Sequence, residues 1–275
     1  MKYKFRNNIL EGLIGSYIEL GKNLRIQGFT YGKGIGTIIL TYLVKSAFNI
    51  HRYPLWEDRH FTKELHTWSQ GHDKLKQVFE NDIFLAHHDD IIKEIKEIYR
   101  YTQNFLNEEY KEQSHVKLYR NLEGEYAAIL LQLKNQAIRE NKTTIKISTD
   151  ILNSFTDNPG TYGKDVHIEI DVPKQDILYF ASVFDYGVME SEEFVILNNS
   201  KDGLIEIPVE RIFKSYNDYD ETRWRLRECK DQKYYYCNFS INTQINFGKH
   251  YKKRNYEKEN FICNYLKKID KCCEI

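Results

Sequence analysis

Hydrophobic positions change their rhythm part-way along this chain. Up to about residue 112 they recur three or four residues apart, the spacing of helices packed on one face. Ile9, Leu13, Ile14, Tyr17, Ile18 and Leu20 predict a helix over 8–24, with Gly21 as its stop. Gly28, Gly32, Gly34 and Gly36 mark a loop, and a second apolar helix is expected from Ile38 to Phe48. Beyond Pro54 the pattern resumes with Phe61, Leu65 and Trp68, then Leu75, Val78 and Phe79. Ile91, Ile92, Ile95, Ile98, Tyr99 and Tyr101 predict a longer amphipathic helix. The charged run from Glu108 to Ser114 is the expected domain boundary.

From Val116 onward the period shortens to two and strands dominate. Lys117–Leu122, Thr144–Ser148, Val166–Val172, Glu193–Leu197 and Gly203–Pro208 read as strands, Ile151–Pro159 as a strand running into a turn, and Tyr234–Ile241 as a later strand. One helix interrupts them, from about Glu123 to Glu140, with Tyr126, Ile129, Leu130, Leu133 and Ile138 on a broad face. Glu257–Lys271 predicts a closing amphipathic helix.

A chain of 275 residues holds one large domain or two small ones with real cores. The 40 basic and 40 acidic residues cancel, so bulk charge selects neither nucleic acid nor membrane. The placement is uneven, however: residues 223–275 carry 13 Lys or Arg against 6 Asp or Glu, which makes that end basic. The 5 cysteines lack Cys-x-x-Cys spacing and read as reduced thiols, with no metal site expected. The charged start Met1–Arg6 is not followed by a signal-peptide apolar stretch, and the longest apolar run, near Ile35–Val44, is too short to span a bilayer. A cytoplasmic chain without membrane contact is the expectation.

Three separated pieces carry the candidate chemistry. They are Lys117-Leu118-Tyr119-Arg120-Asn121-Leu122, Asn153-Ser154-Phe155-Thr156-Asp157, and Met189-Glu190-Ser191-Glu192-Glu193-Phe194-Val195. Between the last two lies Val172-Pro173-Lys174-Gln175-Asp176-Ile177-Leu178. In this order and spacing the set resembles the Arg-Ser-Glu class of mono-ADP-ribosyltransferases, over about the last 160 residues. The resemblance implies an α+β fold: an N-terminal helical domain, 1–112, then an ADP-ribosyltransferase-like catalytic domain, 113–275, built as a split, mixed or antiparallel β-sandwich. It also implies NAD as substrate.

Breaking the nicotinamide–ribose bond expels a group that is already cationic, so no general acid is needed. The transition state is oxocarbenium-like, and a carboxylate in a low-dielectric cleft stabilises it. A guanidinium fork suits phosphate oxygens, and a neighbouring hydroxyl can orient the carboxylate. The resemblance accordingly casts Arg120, Ser154 and Glu193 as catalytic, with Arg120, Tyr119, Ser154, Thr156 and Tyr162 around the cofactor. Glu190, Ser191 and Glu192 fall on the acceptor side. Glu193 and Glu192 both fit the acid; pleating sends them to opposite faces, so only one enters the cleft, and Glu193 is preferred because it directly precedes the apolar strand. Ser191 departs from the Glu or Gln that members carry two residues earlier, which argues against an arginine side chain as target.

For the acceptor, Arg223-Trp224-Arg225-Leu226-Arg227, Tyr234-Tyr235-Tyr236 and Lys249–Arg254 interleave cations with aromatics, a pattern suited to single-stranded RNA. Some toxins of this fold modify nucleic acid, including toxins of phage-defence toxin–antitoxin systems, so the resemblance further implies an intracellular toxin with an antitoxin partner. A protein acceptor, or a catalytically silent binding module, is the alternative. Gly28–Gly34 lacks the spacing and Ser/Thr of a phosphate loop. His87-His88-Asp89-Asp90 reads as the start of a helix, not a metal site.

Overall fold

The computed structural model describes residues 2–15, 17–20, 24–27, 35–51, 77–122, 124–149, 151–158, 166–185, 188–189, 193–201, 203–214 and 239–241. Helix α1, Asn8–Ile14, starts at Asn7, whose side chain accepts from the amides of Ile9 and Leu10 and so satisfies two donors the helix itself leaves open. It ends at Gly15, much earlier than periodicity suggested. The expected 8–24 helix is replaced by a hairpin, β1 (Tyr17–Leu20) and β2 (Leu24–Gln27), in which Ile18 pairs Ile26 and Leu20 pairs Leu24. Ile18-Glu19-Leu20 and Leu24-Arg25-Ile26 alternate apolar and polar, a period-two signal masked by the helical spacing of the residues before them. At Gly15 an added Cβ would lie 3.1 Å from the Glu11 carbonyl and 3.3 Å from that of Val188, a close approach that glycine permits.

Helix α2, Ile35–Ala47, buries Ile38, Ile39, Leu40, Tyr42, Leu43 and Val44, so nearly every side is apolar and the helix is enclosed. Helix α3, Asp82–Glu109, is the long amphipathic element. Its buried residues are Phe84, His88, Ile91, Glu94, Ile95, Ile98, Thr102 and Leu106, which recur at steps of three or four apart from the neighbours Glu94 and Ile95. The cap is Asn81, accepting from the Ile83 and Phe84 amides. His87–Asp90 therefore lies a turn and a half inside the helix instead of opening it.

Beyond α3 come β3 (His115–Leu122), helix α4 (Gly124–Arg139), β4 (Thr144–Thr149), β5 (Leu152–Thr156), β6 (Val166–Pro173), β7 (Ile177–Phe180), β8 (Glu193–Leu197), β9 (Leu204–Pro208), β10 (Ile212–Lys214) and β11 (Phe239–Ile241). Helix α4 stops where Asn141 takes φ 53°; the Lys142 amide reaches back to the Ala137 carbonyl, closing the end of the helix. Six strands form one sheet in the order β10-β6-β3-β5-β8-β7, and β11-β4-β9 form a second. Every strand pair among the described residues is antiparallel. The chain is thus α+β with antiparallel sheets.

The boundary expected at 112/113 falls in the turn between α3 and β3, and contacts cross it. Gln103 of α3 donates to the carbonyls of both Lys174 and Ile177 at 2.9 Å, and the Tyr99 hydroxyl donates to the Gln175 carbonyl at 2.9 Å. These bonds hold the short 3₁₀ turn Lys174–Asp176 that links β6 to β7. Phe105 meets Phe180 of β7 edge to face, ring centres 5.4 Å apart. At the other end of the six-stranded sheet, α4 lies against β10. The two sheets are joined by a buried polar clamp: Asn198 Nδ2 donates to Thr149 Oγ1 at 2.6 Å and to the Gly203 carbonyl at 3.1 Å. The closing helix expected over 257–271 and most of the strand expected from Tyr234 lie outside the described residues.

Candidate active site

The site is set by register. β5 pairs β8 along its whole length, with Ser154 opposite Val195, Phe155 opposite Phe194 and Thr156 opposite Glu193. Residues two apart share a face of a strand, and directly paired residues share a face of a sheet. Ser154, Thr156 and Glu193 therefore stand on one face, while Phe155 and Phe194 stand on the other. β3 joins β5 through a single pair, Tyr119 with Thr156, although it runs paired with β6 from His115 to Leu122.

Ser154 is the meeting point. Its hydroxyl donates to Glu193 Oε1 at 2.8 Å, and its backbone carbonyl accepts from Arg120 Nη1 at 3.0 Å. Glu193 is 7% exposed, a carboxylate taken almost wholly from water at the first residue of its strand. Such burial strengthens any electrostatic interaction the acid makes. Arg120 is half-buried, with its guanidinium carbon 5.7 Å from the centre of the Phe155 ring. The three residues come from strands far apart in sequence and meet at the Ser154 backbone, Glu193 from the face that carries the Ser154 hydroxyl and Arg120 from the opposite face, beside Phe155.

Tyr119 belongs to a second row. Glu193, Thr156, Tyr119 and Glu169 are successive register partners across β8, β5, β3 and β6. Beyond Tyr119 that face becomes charged: Lys117 pairs with Glu169 at 3.0 Å, and Arg211 with Glu169 and Asp171. The hydrogen bond to Glu169 holds the Lys117 ammonium above its ordinary pKa. Thr156 is turned to a local task, since its hydroxyl accepts from the Asn158 amide at 3.1 Å and so shapes the turn that leaves β5. Tyr162, Glu190, Ser191 and Glu192 lie outside the described residues. Two clefts, of about 580 and 500 Å³, lie elsewhere, beside Arg6 and Glu97 and beside Gln136 and Lys146; Arg120, Ser154 and Glu193 line neither.

Sequence reading named Phe155 only as the middle of a motif and gave Phe180 no part. Yet Phe180 stacks on Phe194 with ring centres 4.7 Å apart and planes 5° from parallel. The usable signal was the aromatic residue inside the Ser-x-Thr strand, which follows the arginine strand after one helix and one further strand.

Against known proteins, residues 61–199, just over half of the chain, match a family model of NAD-using enzymes that transfer ADP-ribose. The chain is an ADP-ribosyltransferase, and NAD is its substrate. It belongs to the family described as dinitrogenase reductase ADP-ribosyltransferase. No curated protein and no solved structure matches it. Among the described residues no helix is long and apolar enough to cross a membrane.

Proposed function

We propose that this chain transfers one ADP-ribose from NAD to a protein, using Arg120, Ser154 and Glu193 as an Arg-Ser-Glu set. The observation that carries the proposal is the double engagement of Ser154, by hydroxyl to Glu193 and by carbonyl to Arg120. In this reading Glu193 lies beside the nicotinamide ribose and stabilises the positive charge that develops as nicotinamide departs. Ser154 fixes the rotamer of that acid. Arg120 brings its guanidinium to phosphate oxygens of the dinucleotide. Tyr119, Thr156 and Tyr162 surround the cofactor, and Glu190, Ser191 and Glu192 face the acceptor.

The acceptor proposed is protein, since the matched family is named for a protein substrate. This replaces the RNA preference drawn from the basic, aromatic stretch 223–254, most of which lies outside the described residues. The toxin setting and the antitoxin partner came from the resemblance alone and stay proposals beside this one. The test is to incubate the purified chain with NAD labelled in its ADP-ribose and with separate pools of protein, RNA and DNA. Label in protein, resistant to nuclease and lost in Glu193→Gln, is the expected result. Nuclease-sensitive label would restore the RNA reading, and neither label nor free nicotinamide would reject an active enzyme.

A further inference from the structure

One cross-strand row of the six-stranded sheet is apolar except at a single position. Phe180 of β7 pairs Phe194 of β8, which pairs Phe155 of β5; on the far side, Ile168 of β6 pairs Ile212 of β10. All five are buried, at 4, 3, 4, 0 and 0% exposure. The strand between Phe155 and Ile168 contributes Arg120, the register partner of Ile168 and the residue next to the Tyr119–Thr156 pair. A cation is thereby set into the line of an otherwise hydrophobic row, where it costs stability unless something receives it. Phe155 receives it with its ring face, and the Ser154 carbonyl takes one N–H.

The row does not end at the sheet edge. Phe180 is covered by Phe105 of α3, and Gln103 of the same helix holds the start of β7 through the Lys174 and Ile177 carbonyls. Helix α3 lies within the segment that matches the family model. Ring packing thus runs from Phe105 through Phe180 to Phe194, and strand pairing joins Phe194 to Phe155 beneath the guanidinium.

We infer that Phe155 is a positioning residue for Arg120, and that Phe105 on α3 buttresses it through Phe180 and Phe194. The inference rests on the proposed part of Arg120 in holding NAD. A flat aromatic face and a backbone carbonyl fix the plane of the guanidinium. An aliphatic residue at 155 fills space but offers no quadrupole, so the fork loses its plane while the sheet persists.

The experiment is a double-mutant cycle on nicotinamide release, with KM for NAD and kcat measured separately in the full-length chain. Phe155→Leu is expected to raise KM about three- to tenfold, the range of a partly desolvated cation–π contact, with kcat changed less than twofold. Phe155→Tyr, which keeps the ring face, restores KM. Phe105→Leu moves KM the same way by a smaller factor. In an Arg120→Gln background, Phe155→Leu has no further effect on KM. A Phe155→Leu enzyme that unfolds at the wild-type temperature and keeps the wild-type KM overturns the inference, as does an equal KM effect with and without Arg120. If Phe155→Leu is too unstable to assay, the Tyr variant and Phe105→Leu decide: an unchanged KM in Phe105→Leu removes α3 from the relay, and a KM in Phe155→Tyr raised beyond threefold removes the ring face. If Arg120→Gln itself leaves KM unchanged, the assignment of Arg120 to NAD fails instead.

Discussion

The hydroxyl of Ser154 donates to the buried carboxylate of Glu193 across two paired strands, at 2.8 Å. The bond fixes the orientation of an acid that β8 presents at its first residue, and it ties together two residues 39 apart in sequence. Ser154→Ala removes a hydrogen bond to a charged group, worth about 1.5–3 kcal/mol. We expect kcat for nicotinamide release to fall about ten- to one-hundredfold with little change in KM. A variant that keeps wild-type kcat would mean that Glu193 needs no such restraint.

Arg120 tests the cofactor side. Arg120→Lys keeps the charge but loses the planar fork that donates to the Ser154 carbonyl and, in the proposed site, to a phosphate. The expected outcome is a KM for NAD raised about tenfold, the order of one lost charge-assisted hydrogen bond, with a smaller effect on kcat. Steady-state kinetics with NAD as varied substrate reads it directly, and a lysine variant with unchanged KM would contradict the assignment.

The Asn198–Thr149 clamp makes a contrasting prediction, because it joins the two sheets away from Glu193. Thr149 is wholly buried and Asn198 6% exposed, and Asn198 also holds Ser200 through its side-chain oxygen. Asn198→Ala strands buried polar groups and should destabilise the fold by about 1–3 kcal/mol. Denaturant unfolding measures the loss. Nicotinamide release per folded molecule should remain near wild type.

Asp176 supplies a pH signature. Burial in the turn held by α3 raises its pKa above the ordinary 3.8, and the nearby His115 opposes the shift. A carboxyl raised on folding destabilises the native state once ionised, so its cost is absent below the unfolded pKa and grows as pH rises through the folded one. Asp176→Asn should therefore melt at a higher temperature than wild type at pH 7, with the difference closing as pH falls below about 4. A difference that widens on acidification would contradict this.

Much of the strand-rich part from residue 115 onward was legible in the sequence because its strands carry strong local signals. Glu193–Leu197 was read with the same ends it has in the structure, since an acidic turn abruptly gives way to four apolar residues. The helix expected over 123–140 corresponds to α4, marked by its broad apolar face. The hairpin at 17–27 was hidden by apolar spacings that serve a helix equally well. Strand β7 escaped notice because Ile177–Phe180 is four apolar residues without alternation, buried on both faces, directly after a 3₁₀ turn. The contacts on which the proposals rest, Ser154 to Glu193 and Arg120 to Phe155, depend on pairing between distant strands. Such register is a property of the assembled sheet, which local periodicity does not encode.

The most direct measurement of the central claim compares Glu193→Gln with Glu192→Gln in nicotinamide release at saturating NAD. The amide at 193 keeps the shape and a hydrogen-bonding oxygen for Ser154 but removes the negative charge that the proposal sets against the developing cation. Glu193→Gln should lower kcat about a hundred- to a thousandfold, in the range of losing one preorganised electrostatic group, while Glu192→Gln stays within a fewfold of wild type. Loss of turnover in Glu192→Gln alone, with Glu193→Gln still active, would contradict the account.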